Sequence, residues 1–207
     1  MQAELVLSGL SKTFNKELLF KQLNATFPVH SATAITGHNG SGKSTLLKII
    51  AGLQLPTEGK VAMTINAQSV PTEKYYQYLS YAAPYVELME EYTLQEMLVF
   101  YFKLKPLLPS LLLEQLPDLL LLPKAKHKEI RSFSSGMKQR LKLGLAFFSN
   151  TPLVLLDEPT SHLDEQGKQW YKKNLQTLIG KRTLIIASNQ EEEIECCTQR
   201  ILISDYC

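Results

Sequence analysis

Nowhere in this sequence do roughly 20 apolar residues run together, the length a membrane-spanning helix requires. The nearest approach, Leu104 to Leu122, is broken by Pro106, Pro109 and Pro117 and carries Glu114 and Asp118. It reads as short, amphipathic, buried helices. Cysteine is scarce: Cys196, Cys197 and Cys207 are all there is. Adjacent cysteines do not easily bridge, no second pair offers metal-ligand spacing, and a low, odd count fits a reducing compartment. Clustered charge is also missing. The net charge is +2 with a pI near 8.3, too mild for a nucleic-acid partner. The densest basic run, Lys124, Lys126, His127 and Lys128, reads as a solvated loop. The opening MQAELVLSGL carries Glu4 and no basic region, so it does not read as a signal peptide. Any membrane role has to come through a partner.

What is present is a globular composition, 44% hydrophobic and 20% charged over 207 residues, enough for one large domain or two closely joined lobes. Strands are expected at Glu4–Leu7 and Ala32–Ile35, and a helix over Lys43–Leu53, ended by Gly52, Pro56 and Gly59. Alternation predicts a strand over Lys60–Ile65. The apolar runs Leu153–Leu156 and Thr183–Ala187 suit the interior of a mostly parallel sheet covered by helices, and Arg200–Ser204 is a last strand. The stretch 83–150 is rich in Leu, Met, Glu and Lys and poor in β-branched residues, so it is expected to be mainly helical. The plan is an α/β core, about 1–82 and 151–207, interrupted by a helical insert.

Residues 37 to 45 read Gly-His-Asn-Gly-Ser-Gly-Lys-Ser-Thr. Gly37, Gly42, Lys43 and Ser44 fit the phosphate-loop spacing, and a predicted strand precedes and a helix follows. Gly37, Gly40 and Gly42 let the backbone bend with its amides inward as an anion nest, to which His38, Asn39, Ser41 and Thr45 also belong. The helix start adds a positive dipole end. Lys43 can reach β- and γ-phosphates, and the Ser44 hydroxyl can ligate magnesium. Further on, Leu153–Leu156 runs into Asp157 and Glu158. A central strand that ends in acids delivers them where open α/β sheets place ligands. Asp157 would hold magnesium through water, and Glu158 would polarise an attacking water.

Together these motifs resemble the ATP-binding cassette (ABC) ATPases. The match is narrowed by Phe133-Ser134-Ser135-Gly136-Met137 and the Lys138-Gln139-Arg140-Leu141 after it, similar to the family signature Leu-Ser-Gly-Gly-Gln. Ser161-His162-Leu163-Asp164 resembles the loop that crosses the dimer interface in the family, and Phe14 stands where the family places an aromatic on adenine. The resemblance implies a phosphate-loop nucleotidase core with a mostly parallel sheet, an antiparallel β subdomain and a helical insert. It also implies ATP and Mg²⁺ as cofactors and a second cassette, of the same chain, as partner. Ser134, Ser135, Gly136 and Met137 of one copy would then face the phosphate loop of the other. A transporter subunit of this kind works in the cytoplasm, peripheral on the inner face of the cell membrane, against a membrane permease. Tyr85, Leu88, Met89, Phe100, Tyr101 and Phe102 are apolar candidates for the groove that meets it.

Two positions depart from the family. Counting back nine residues from Thr93, where the family has a glutamine, gives Pro84, which cannot ligate magnesium. The family's switch histidine falls on Asn189, which can hydrogen-bond a γ-phosphate but carries no imidazole charge. Both bear on the rate of an otherwise equipped ATPase. They leave room for a hydrolysis-poor, ATP-gated clamp, beside a soluble subunit like that of iron-sulfur cluster assembly.

Overall fold

A computed structural model describes residues 1–14 and 17–207. In chain order the elements are β1 (Ala3–Phe14), β2 (Glu17–Phe27), β3 (Ala32–Thr36), α1 (Lys43–Ile50), β4 (Glu58–Ile65), β5 (Gln68–Val70), β6 (Leu79–Ala82), α2 (Leu94–Leu104), α3 (Leu116–Leu119), α4 (Ser135–Phe148), β7 (Leu153–Asp157), α5 (Glu165–Gln176), β8 (Thr183–Ala187), α6 (Glu191–Ile194) and β9 (Gln199–Leu202).

They form two sheets. An antiparallel one runs β2-β1-β4-β5, and a parallel one runs β6-β7-β8-β3-β9. The central strands of the parallel sheet are buried at every residue, which is why they read as unbroken apolar runs rather than alternations. Side chains still alternate in space. Leu153, Leu155 and Ile185 pack into the core shared with α1 and the antiparallel sheet. Val154, Leu156 and Ile186 pack into the other core, with α4, α5 and the 94–133 stretch. The sheet thus separates two cores, and its C-terminal edge, where β3 and β7 end, is left for the phosphate loop and the carboxylates.

Several elements differ from those the sequence predicts. The 83–150 stretch is less helical than expected: α2, the single turn α3 and α4 are joined by 3₁₀ turns and loops. Prolines explain it, since Pro106 follows α2 and Pro117 takes the first turn of α3, where a missing N–H costs nothing. Nor is Leu104–Leu122 uniformly buried, for Leu104 is 72% and Leu112 57% exposed. The helix expected to reach Leu53 stops at Ile50. Gly52 enters the left-handed region at φ 74° and ends it with an amide bond back to Ile49. β1 is far longer than Glu4–Leu7, because it pairs along its length with β2 and β4. The last strand is Gln199–Leu202, after which Ile203–Tyr206 winds into a 3₁₀ turn.

Candidate functional site

The loop between β3 and α1 wraps a small cavity of about 190 Å³. Its lining includes Gly40, Gly42, Lys43, Ser44, Thr45 and, from the far side, Glu158. Gly42 caps α1 at φ 100°, a conformation that a residue with a Cβ adopts at a cost. Gly37 is fixed by crowding as well, because a Cβ there would stand 2.6 Å from Ser41 Oγ. Ser41 Oγ is itself buried without a hydrogen-bond partner. His38 and Asn39 are exposed at the rim.

Lys43 is 5% exposed, and its Nζ donates to the carbonyls of Gly37 at 2.7 Å and His38 at 3.2 Å. Burial lowers its pKa, while Glu158 and Asp157 pull it back up. Asp157 and Glu158 come from the end of β7. Burial raises the Asp157 pKa, against the lowering effects of the Ser44 hydroxyl, a Tyr85 hydrogen bond and Lys43. Asp157 Oδ2 accepts from Tyr85 Oη at 2.7 Å. Its other oxygen, Oδ1, is buried and accepts from no protein donor. An oxygen in that state fits a cation ligand. A carboxylate beside a hydroxyl, to be completed by phosphate oxygens, is the donor set that magnesium prefers. No cluster of three or more His, Cys, Asp or Glu able to hold a metal occurs among the described residues.

Glu158 sits at φ 40°, an uncommon place for a residue with a side chain. Its N–H donates to the Ala187 carbonyl at 2.9 Å, and its Oε2 accepts from Ser161 Oγ at 3.4 Å. Beyond it, Asp164 caps α5 by accepting from Gly167 N at 2.8 Å. Asn189 also reaches this edge. Its Oδ1 accepts from Gly37 N at 3.1 Å and its Nδ2 donates to Asn39 Oδ1 at 3.4 Å, so the carboxamide clasps the start of the phosphate loop.

The signature residues start α4. Ser134 caps it, accepting from Met137 N at 3.3 Å, with Ser135 and Gly136 in the first turn. Gly136 has a steric reason to be glycine, since a Cβ would approach the His162 carbonyl to 2.9 Å. The signature therefore packs on the Ser161–Asp164 loop of its own chain and does not line the phosphate cavity. Phe14 is also apart from the cavity. It is 43% exposed at the end of β1, with Lys12 Nζ 4.7 Å from its ring centroid.

Three side chains hold this edge together in roles that sequence reasoning did not give them. Tyr85 bonds Asp157. Glu193, wholly buried, accepts from Thr160 N at 2.7 Å and from the Thr160 hydroxyl, fixing the loop after the carboxylates. Gln139 Nε2 donates to the Pro159 carbonyl at 2.9 Å, tying α4 to the same loop. Of the groove candidates, Tyr85 and Leu88 line a groove of about 570 Å³ with Glu87, Glu90 and Lys142. Met89 is exposed beside it, Tyr101 and Phe102 pack against the core, and Phe100 lines a separate hollow on α2.

The comparisons agree on one assignment. A family model described as "ABC transporter" matches residues 20–161. The chain is 30% identical over 212 residues to the cytochrome c biogenesis ATP-binding export protein CcmA of Haemophilus influenzae, covering 99% of this chain and 97% of that protein. It is 27% identical to the Nod factor export ATP-binding protein I of Rhizobium sp. (strain N33), covering 97% of this chain and 67% of that one. A bacterial ABC transporter cassette solved as a dimer superposes with a TM-score of 0.81 over 96% of this chain and 94% of its own, at 20% identity. That last likeness speaks to the fold.

Proposed function

Since this chain belongs to the ABC transporter family, as an ATP-binding ATPase subunit, we propose that it pairs with a second copy around two Mg-ATP and powers a membrane permease. The carrying observation is that one cavity is lined by Lys43, Ser44 and Glu158, with the unpartnered Asp157 oxygen buried at the end of the same strand as Glu158. Lys43 binds the β- and γ-phosphates. Phosphate oxygens compete there with the loop carbonyls that hold the ammonium without nucleotide. Magnesium would be held by Ser44 and Asp157 and would neutralise charge on the phosphates. Glu158 takes the proton of the attacking water, and Ser161 steadies its carboxylate. Phe14 offers a ring face to adenine.

Ser134, Ser135, Gly136 and Met137 stand at a helix start, a place suited to an anion, and away from their own chain's phosphate cavity. That supports their use in trans, across an interface that Ser161 and Asp164 border. The fold neighbour solved as a dimer supports it too. Residues 83–150 then act as the helical subdomain of a single cassette spanning 1–207. No helix among the described residues is long and apolar enough to cross a membrane, so a permease is met on the surface, in the groove of Tyr85 and Leu88, and the cassette sits on the inner face of the membrane. Turnover per molecule is expected to rise with protein concentration, because each site needs two copies. A rate strictly proportional to protein at all concentrations would count against the pairing. Leu88→Glu is expected to cut recovery of the chain with the membrane fraction several-fold and leave ATP binding intact. Unchanged recovery would move the permease contact elsewhere, and a wholly soluble chain would favour a cytosolic assembly system.

The second reading, a hydrolysis-poor ATP-gated clamp, rests on Asn189, whose carboxamide is occupied with Gly37 N and Asn39 and brings no imidazole to the γ-phosphate. ATP that binds and drives pairing without turnover would favour it.

A further inference from the structure

The proline at the glutamine position leaves open what, if anything, the loop after β6 contributes to the carboxylate end of β7. The loop turns at Pro84, whose carbonyl accepts from Lys142 Nζ. The next residue, Tyr85, points its hydroxyl at Asp157 Oδ2, 2.7 Å away. An ionised carboxylate only accepts, so Tyr85 donates its one proton there. The Tyr81–Tyr85 hydroxyl contact must then run the other way, with Tyr81 donating. The result is a one-directional chain, Tyr81 to Tyr85 to Asp157. The Tyr85 ring is held from its face by Lys48 Nζ, 4.2 Å from the centroid, on α1. With Oδ2 committed, the oxygen left over is Oδ1, buried and without a protein donor.

We propose that Tyr85 is a positioning residue for magnesium: its hydroxyl fixes the rotation of the Asp157 carboxylate so that Oδ1 is the oxygen offered to the ion. This rests on the reading of Asp157 as the magnesium carboxylate. The position is also consequential for coupling, because Tyr85 lines the groove assigned to the permease.

The test uses the full chain with a non-hydrolysable ATP analogue and manganese, counted as free ion by electron paramagnetic resonance. Tyr85→Phe keeps the ring under Lys48 and removes only the hydroxyl. It is expected to weaken manganese binding to the nucleotide complex about 10- to 100-fold, the usual scale for losing a partner of a metal ligand. Binding of the analogue in EDTA is expected to stay within about twofold of the parent. Manganese binding that is unchanged or tighter in Tyr85→Phe overturns the proposal, and so does an equal loss of metal-free nucleotide binding, which would mark a structural role. Asp157→Asn separates the two levels. If it weakens manganese and Tyr85→Phe does not, Tyr85 alone is wrong. If Asp157→Asn binds manganese like the parent, the carboxylate assignment falls, and the role of Tyr85 with it.

Discussion

Glu158→Gln is expected to hold ATP with undiminished affinity and to lose turnover by about 10²- to 10⁴-fold, the range that a positioned general base contributes. Glutamine has the shape of glutamate, so it fills the same wall of the phosphate cavity and its amide oxygen can still accept from Ser161 Oγ. The left-handed backbone, φ 40°, is held by the bond of its N–H to the Ala187 carbonyl and by the buried Glu193 that pins Thr160 two residues on. None of these contacts needs the charge. What glutamine cannot do is take a proton from water. One negative charge also leaves the cavity, which if anything eases entry of the phosphates. ATP binding by calorimetry beside a single-turnover measurement of phosphate release checks both halves. Equal release from both proteins would remove Glu158 from the chemistry.

The residues of this site that could be read from the chain are those whose function is local. The phosphate loop is nine consecutive residues whose glycines and lysine need one another's backbone, so no distant partner has to be known. Asp157 and Glu158 could be singled out because β7 is buried throughout and the end of such a strand is where open α/β sheets place ligands. The parallel sheet was legible for the same reason, from apolar runs of four and five residues in strands buried throughout. The rest depends on contacts between residues far apart in the chain. Tyr85 meets Asp157 across 72 positions, Glu193 meets Thr160 across 33, and Asn189 meets Gly37 across 152. Nothing in the spacing of a tyrosine after a proline, or of the third of three glutamates, announces a partner in another element. Asn189 shows the difference most plainly. Its position by motif counting pointed at a γ-phosphate, whereas its hydrogen bonds go to the loop that would hold that phosphate. The helical insert was legible in kind, since 83–150 holds helices and 3₁₀ turns and no named strand, but composition reports propensity and not where the loops between α2, α3 and α4 fall. Proline decides where part of it turns, as Pro106 after α2 and Pro117 in the first turn of α3 show.

Lys43→Ala is expected to fail earlier in the cycle than Glu158→Gln, losing affinity as well as rate. The ammonium is nearly buried, 5% exposed, and is held by two loop carbonyls, Gly37 and His38. Burial lowers its pKa, and Glu158 and Asp157 raise it again, so the cation is supported by the same acids that would otherwise repel the phosphates. Alanine removes this cation and leaves both carboxylates in place. A charged hydrogen bond is worth about 1.5–3 kcal/mol, so ATP affinity should fall roughly 10- to 150-fold. Loss of electrostatic support for the γ-phosphate should slow turnover by a further 10²- to 10³-fold at saturating ATP. Unfolding curves without nucleotide distinguish a broken loop from a lost ligand. The Gly37 carbonyl loses a buried partner, so stability should fall by about 1–3 kcal/mol. The decisive comparison is between the two variants. Glu158→Gln should accumulate as a bound, non-turning complex, while Lys43→Ala should bind little. Should Lys43→Ala bind ATP as tightly as its parent, the ammonium would be a strut between loop carbonyls, and the cavity would be holding its anion on backbone amides alone.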